Sequence, residues 1–177
     1  MLDEFKVNEK TIRLMVGLIT EIRDMDGIVY YARPDLLLGS GFGTAISTQG
    51  GTGIQEELKK AGSAGTTDVV ATGAGNLPVK SILHAVGPRF QEEDSEEKLK
   101  ATMLNALRKA AELRLQKIAF PAMGAGFYGI PLDVCARVTL GAAREFLEKA
   151  AAPPEVVFCL RDSRELKVFR EHLQRLK

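Results

Sequence analysis

Hydrophobic positions in this chain follow two periods that alternate along its length. "TIRLMVGLI" (11–19) alternates apolar and polar residues and then turns apolar, as a strand does. "GIVYYA" (27–32) is a continuous apolar run of strand length, suited to burial on both faces. Residues 43–62 carry a weak helix start and then a clearer one, "TGIQEELKKAG", closed by Gly62. "DVVATG" (68–73) and "SILHAVG" (81–87) read as strands with the turn "GAGNLP" between them. A helix over about 95–115 follows, with Asp94 or Ser95 as its cap and Leu99, Met103, Ala106, Leu107 and Ala110 on one face. "KIAFPA" (117–122) is a short buried strand. Pro131 suits the first position of a helix running to about 149, with the stripe Leu132, Cys135, Val138, Ala142 and Phe146. "EVVFCL" (155–160) is the last strand, and Ser163 can cap a final helix carrying Leu166, Phe169, Leu173 and Leu176. Strands alternating with helices predict an α/β layered domain, with helices on both faces of a mixed sheet.

Composition narrows the picture little. The chain has 177 residues, enough for one domain with a proper core. A net charge of +1 supplies no bulk attraction to nucleic acid or membrane. Cys135 and Cys159 lie in apolar contexts and read as buried reduced thiols. His84 and His172 form no metal-ligand spacing, so neither a metal nor a cofactor is expected. The polar, acidic start "MLDEFKVNEK" does not read as a signal peptide, and no apolar run approaches the ~18 residues of a membrane span. A cytoplasmic location is the expectation.

Two glycine-rich loops carry the candidate chemistry, "LGSGFGTAI" after the second strand and "GAGFYG" (124–129) after "KIAFPA". The second has the spacing Gly-x-Gly-x-x-Gly of a dinucleotide fingerprint. That reading needs the third glycine inside a helix and an acidic residue about 20 positions on, at a strand end. Here Pro131 starts the helix after Gly129, and Glu145 falls in mid-helix. No Gly-Lys-Ser/Thr follows either loop. The physical content of such loops remains, because glycines let backbone N–H groups converge on an anion, and a helix starting at Pro131 would add its positive end. Two such loops at strand ends point to a ligand with two phosphates.

Several motifs together resemble the macro domain family, known for binding ADP-ribose, from about residue 11 to 170. "TTDVVATGAGNLPVKSILHAVGPRF" (66–90) is similar to the family's central block, and "IAFPAMGAGFYGIPLDVCARV" to its second phosphate loop. "LLLGSGFGTAI" resembles its first phosphate loop, and "MVGLIT" stands where the family has a Gly-Asp-Ile-Thr motif. The resemblance implies a three-layer α/β/α sandwich around a mixed, mostly parallel six-stranded sheet. Residues 11–177 would form the domain and 1–10 an N-terminal extension. Gly39, Ser40, Gly41, Phe42 and Gly43 would make the first phosphate loop. Gly124, Ala125, Gly126, Phe127, Tyr128 and Gly129 would make the second, with Phe127 and Tyr128 lining the distal ribose, unless Tyr128 packs into the helix behind it. Leu18, Ile19 and Arg161 would face the adenine, and Ala32 and Arg33 the distal ribose.

The departures from the family pattern bear on activity. Leu18 replaces an aspartate that accepts from the adenine amine, a loss of about 1–3 kcal/mol if that partner is buried unpaired. "YYAR" (30–33) replaces a motif ending in asparagine, so Arg33 stands where hydrolytic members place the reacting group. Gly43 replaces an aspartate common in those members. Asp35 nearby fits turn chemistry. Arg33 either covers apolar surface with its head in water or meets phosphate or carboxylate in the cleft. Arg161 either stacks on a base or lies on the surface. The expected function is binding of ADP-ribose or a related nucleotide diphosphate, with ADP-ribosylated protein as a further partner, and without efficient hydrolysis. The alternatives are hydrolysis of ADP-ribosyl or O-acetyl-ADP-ribose esters, and a nucleic-acid or protein interaction module using a basic strip of Arg13, Arg23, Arg33 and Arg161, with RNA as its partner.

Overall fold

The computed structural model describes residues 3–39 and 41–176. Its elements in chain order are β1 (Glu4–Val7), β2 (Lys10–Val16), β3 (Gly27–Tyr31), α1 (Phe42–Gly50), α2 (Gly53–Ala61), β4 (Val69–Gly73), β5 (Ser81–Ala85), α3 (Ser95–Glu112), β6 (Lys117–Phe120), α4 (Leu132–Lys149), β7 (Glu155–Leu160) and α5 (Ser163–Gln174). The strands form one sheet in the order β1-β2-β7-β6-β3-β5-β4. The five central strands are parallel, and the edge strands β1 and β4 run antiparallel to β2 and β5.

Burial on both faces explains the continuous apolar runs. In β7, Val156, Phe158 and Leu160 face a core shared with α3, α4 and α5, while Val157 and Cys159 face a second core under α1 and α2. β3 divides likewise, with Val29 and Tyr31 on the first side and Ile28 on the second. Residues 17–26 extend the α1/α2 layer, because Ile19, Ile22 and Met25 join its core. Both cysteines are buried free thiols, and burial raises the Cys159 pKa to about 11. No helix among the described residues is long and apolar enough to cross a membrane.

Several local expectations are corrected. The sheet has seven strands rather than six. The added strand is β1, drawn from the segment read as an extension; its short stretch EFKV gave little periodicity. The weak helix start and the clearer one read over 43–62 are two separate helices, α1 and α2, parted where Gly51 adopts a φ of 95°. β2 ends at Val16, and Leu18 begins a turn closed by the Glu21 N–H. Neither Asp94 nor Ser95 caps α3 with its side chain, since Asp94 sits in the left-handed region at a φ of 56°. Asp162, not Ser163, caps α5 by accepting from the Glu165 N–H at 2.9 Å. Pro131 precedes α4 by one residue instead of opening it. The buried stripe of α4 is rotated toward Ala136, Thr139, Leu140, Ala143 and Leu147, alongside Cys135 and Ala142, with Leu132, Val138 and Phe146 flanking it.

Candidate functional site

A cleft of about 500 Å³ lies across the carboxyl ends of the parallel strands. The strand order lays out its floor from one end to the other. Ile19 after β2 and Arg161 after β7 form one end, residues 121–128 after β6 the middle, and Tyr30 and Tyr31 of β3, Arg33 just after it and Arg89 after β5 the other. Gly41, Phe42 and Ile46 of the α1 region form the facing wall.

The loop after β6 is built to present backbone amides. Gly124, Gly126 and Gly129 hold φ values of 80°, 84° and 74°, which side chains disfavour. The Ile130 N–H donates to the Gly124 carbonyl at 3.0 Å and the Gly129 N–H to the Gly126 carbonyl at 2.9 Å. These bonds close the loop on itself. Among the described residues, the N–H groups of Gly126, Phe127 and Tyr128 find no protein acceptor. Across the cleft, α1 begins after Gly41 with no side-chain cap, so its first-turn amides also lack an acceptor among the described residues. The helix end at the cleft is therefore that of α1. The contribution expected from α4 is not found: no α4 residue lines the cleft, and its first turn holds Asp133, bonded to His172 at 2.7 Å.

Gly41, Phe42, Gly124, Ala125, Phe127, Tyr128, Ile19, Arg161 and Arg33 all line the cleft. Gly39, Gly43, Gly126, Gly129, Leu18 and Ala32 stand beside it without lining it. Gly43 is buried in the first turn of α1, where an added Cβ would lie 2.6 Å from the Tyr30 hydroxyl. Gly129 backs onto Phe90, Leu18 is exposed, and Ala32 is buried in the core. Ser40 lies outside the described residues. Phe127 is 84% exposed at the rim. Tyr128 both lines the cleft and packs edge-on against Tyr31, with ring centroids 4.7 Å apart.

The end of β3 divides its two tyrosines between the faces of the sheet. Tyr31 goes to the α3/α4/α5 side, where its hydroxyl donates to the Pro88 carbonyl. Tyr30 goes to the α1/α2 side, edge-on to the buried His84 ring at 6.0 Å. Burial lifts the Tyr30 pKa to about 12, so its hydroxyl remains a donor at neutral pH. Arg33 reaches the cleft but also pairs with Asp35 at 2.6 Å. Asp35 accepts from the Leu37 N–H at 3.0 Å, the turn role expected of it; that bond and Arg33 hold its carboxyl below the usual range.

At the opposite end, Glu165 is buried and holds Arg161. Its Oε1 accepts from Arg161 Nε at 2.8 Å and pairs with Nη2 at 2.7 Å, while Oε2 accepts from the Arg161 backbone N–H at 2.9 Å. The pattern "DSRE" could have announced Glu165 as the third helical residue after a capping aspartate, but not its grip on Arg161. Arg89 and the two tyrosines carried no distinguishing local signal. The basic strip does not assemble. Arg13 pairs with Glu155 at the start of β7, away from the cleft, and Arg23 lines a separate polar depression with Thr20 and Asn76.

The model for the family described as Macro domain matches residues 32–139. A macro domain-containing protein of Caldanaerobacter subterraneus is 34% identical over 174 residues, covering 95% of this chain and 98% of that protein. A protein of Enterobacter sp. named O-acetyl-ADP-ribose deacetylase is 34% identical, covering 92% of this chain and 93% of its own. Among solved structures, an Oceanobacillus iheyensis macrodomain with ADP superposes with a TM-score of 0.92 at 27% identity, over 98% of this chain and 95% of that one. A Trypanosoma brucei macrodomain in complex with ADP-ribose gives a TM-score of 0.84 at 28% identity, over 90% of this chain and 68% of that one.

Proposed function

The chain belongs to the macro domain family, and on that premise we propose that its cleft binds ADP-ribose or a closely related nucleotide diphosphate without efficient hydrolysis. The observation that carries the reading is a pair of amide clusters on two sides of one cleft that have no acceptor among the described residues, one in the 126–128 loop, where Phe127 and Tyr128 line the cleft, and one at the uncapped start of α1, where Gly41 and Phe42 do. Such clusters favour anions, and two of them suit a diphosphate. The relatives solved with ADP and ADP-ribose support the same ligand class.

The ionisable groups of the cleft argue against efficient turnover. General acid–base catalysis needs a group that can exchange a proton with the reacting atoms. The cleft offers the guanidinium groups of Arg33, Arg89 and Arg161, and tyrosines whose burial raises their pKa values. Its one carboxylate, Glu165, has both oxygens engaged by Arg161. A protein carrying an ADP-ribosyl group is a further ligand on this reading, its modified side chain leaving past the exposed Phe127.

Calorimetric titration with ADP-ribose tests the proposal, and binding with one site per chain is expected. Gly126→Glu should abolish it, because the new carboxylate repels the diphosphate and the left-handed backbone is strained. No heat of binding up to millimolar ligand would end the reading. The name of the Enterobacter relative favours one second reading, ester hydrolysis. Turnover of O-acetyl-ADP-ribose above a heat-inactivated control, lost in Gly126→Glu, would establish it in place of binding alone.

A further inference from the structure

We propose that Arg161 is a diphosphate-binding residue, held in place by Glu165, and that the cleft consequently takes nucleoside diphosphates with little regard to the base. The inference rests on the binding function proposed above and adds a side chain to what was an all-backbone anion site.

The geometry starts from Glu165. It is 1% exposed and bonds Arg161 through Nε, Nη2 and the backbone N–H. The bond to the backbone N–H fixes the buried carboxylate against the chain, while its two contacts to Nε and Nη2 hold the guanidinium. They occupy the Nε side of the fork and leave the edge formed by Nη1 and Nη2 turned elsewhere. That edge faces the loop after β6. A Cβ built on Gly126 would lie 3.8 Å from Nη1 and 3.8 Å from Nη2. These two nitrogens are the atoms within 4 Å of that point, so the terminal end of the guanidinium is the part nearest the loop.

Gly126 is the residue whose own N–H is free, with those of Phe127 and Tyr128 beside it. The guanidinium thus stands beside the loop that carries these amides, with Arg161, Phe127 and Tyr128 all lining the one cleft. Planar bidentate recognition by arginine is suited to phosphate oxygens. The Glu165 charge holds Arg161, and both carboxylate oxygens are spent on it. Fixing the side chain beforehand also spares the ligand the cost of ordering it.

Among the described residues that line this end, no side chain besides Arg161 and Glu165 carries a polar group to read a base. The apolar Ile19 lines it, and Leu18 points to solvent at 53% exposure. Neither side chain accepts or donates a hydrogen bond. Glu165, the carboxylate that lines this end, has both oxygens engaged by Arg161. A base placed here meets apolar surface and the flank of a guanidinium, contacts that any base can make. Affinity therefore resides in the diphosphate.

Titrations of the full chain with ADP-ribose, ADP and IDP, repeated on Arg161→Leu and Arg161→Lys, test this. IDP replaces the adenine amine with a carbonyl and leaves the diphosphate unchanged. In the unmodified chain ADP and IDP should bind within about ten-fold of each other, because no group discriminates their edges. Arg161→Leu should weaken both by about ten-fold or more, and by the same factor, with Arg161→Lys between the two because it keeps the charge and loses the fork. The salt dependence of ADP binding should lessen in Arg161→Leu. Thermal unfolding of each variant shows whether it is folded, and Arg161→Lys keeps a cation for Glu165 if the leucine variant is not. A preference of more than ten-fold for ADP over IDP, or variants that bind ADP as the unmodified chain does, would overturn the inference. If the unmodified chain binds neither ADP-ribose nor ADP, the binding function itself fails, a result distinct from unaltered binding in the variants.

Discussion

His84 is buried, and its two ring nitrogens meet different fates. Thr72 Oγ1 donates to the Gly73 carbonyl and so accepts from His84 Nε2 at 2.9 Å, while Nδ1 has no partner among the described residues. Burial lowers the pKa from 6.5 to about 4. Between those values the unfolded chain binds more protons, so stability falls as pH drops from 6.5 toward 4. This one group should cost about 2 kcal/mol between pH 7 and pH 5. Urea unfolding at the two pH values measures the loss, and His84→Leu should flatten it. An equal loss in the variant would assign the slope to other groups. Gly43 offers a second test at this scale. An alanine there meets the Tyr30 hydroxyl at 2.6 Å and the Leu38 backbone at 3.1 Å. Gly43→Ala should destabilise by about 1–3 kcal/mol, and Tyr30→Phe should restore part of it by removing the nearer atom. Denaturation of the single and double variants decides the point. The family's aspartate could not replace Gly43 without moving Tyr30, so these two departures in the sequence form one packing unit. Periodicity could flag both positions but could not show that they touch.

The start of α5 joins local helix chemistry to the cleft. Asp162 accepts from the Glu165 N–H, and Glu165 turns back to hold Arg161. Asp162→Ala removes the cap and should lower the melting temperature by about 2–4 °C in a scanning calorimeter. The loosened first turn should also weaken ADP-ribose binding modestly. A variant that melts as the unmodified chain does would mean that water replaces the cap at no cost. Most elements were legible because their stripes are long: α3 buries Leu99, Met103, Ala106, Leu107 and Ala110 as the spacing predicts. The ends were less legible. Asp162 and Ser163 are both good caps by residue type, and only the backbone conformation selects between them. The split of α1 from α2 depended on one residue, Gly51, entering a region that a glycine may or may not use.

For the whole molecule, β1 adds an antiparallel edge to β2, and Asp3 beside it pairs with Arg170 of α5 at 2.6 Å. This edge lies beyond β2, outside the strand ends that line the cleft. Deleting residues 1–9 should lower the melting temperature while leaving ADP-ribose affinity within about two-fold, since edge pairing and the Val7 contact are lost and the cleft is untouched. Loss of binding in a folded truncated chain would contradict that separation. The sequence by itself determined the alternation of strands and helices, the two-faced burial of the central strands and both glycine loops, because these follow from short-range periodicity and from backbone freedom at glycine. Tertiary structure alone decided that α1 rather than α4 turns its amides to the cleft. It also decided that Arg33 is drawn back to Asp35, and that a buried Glu165 aims Arg161 at Gly126. The first outcome and the approach to Gly126 depend on which strand ends lie side by side, distances that residue order does not encode; the ion pairs join near neighbours in sequence, and there packing decided which way the side chains turn.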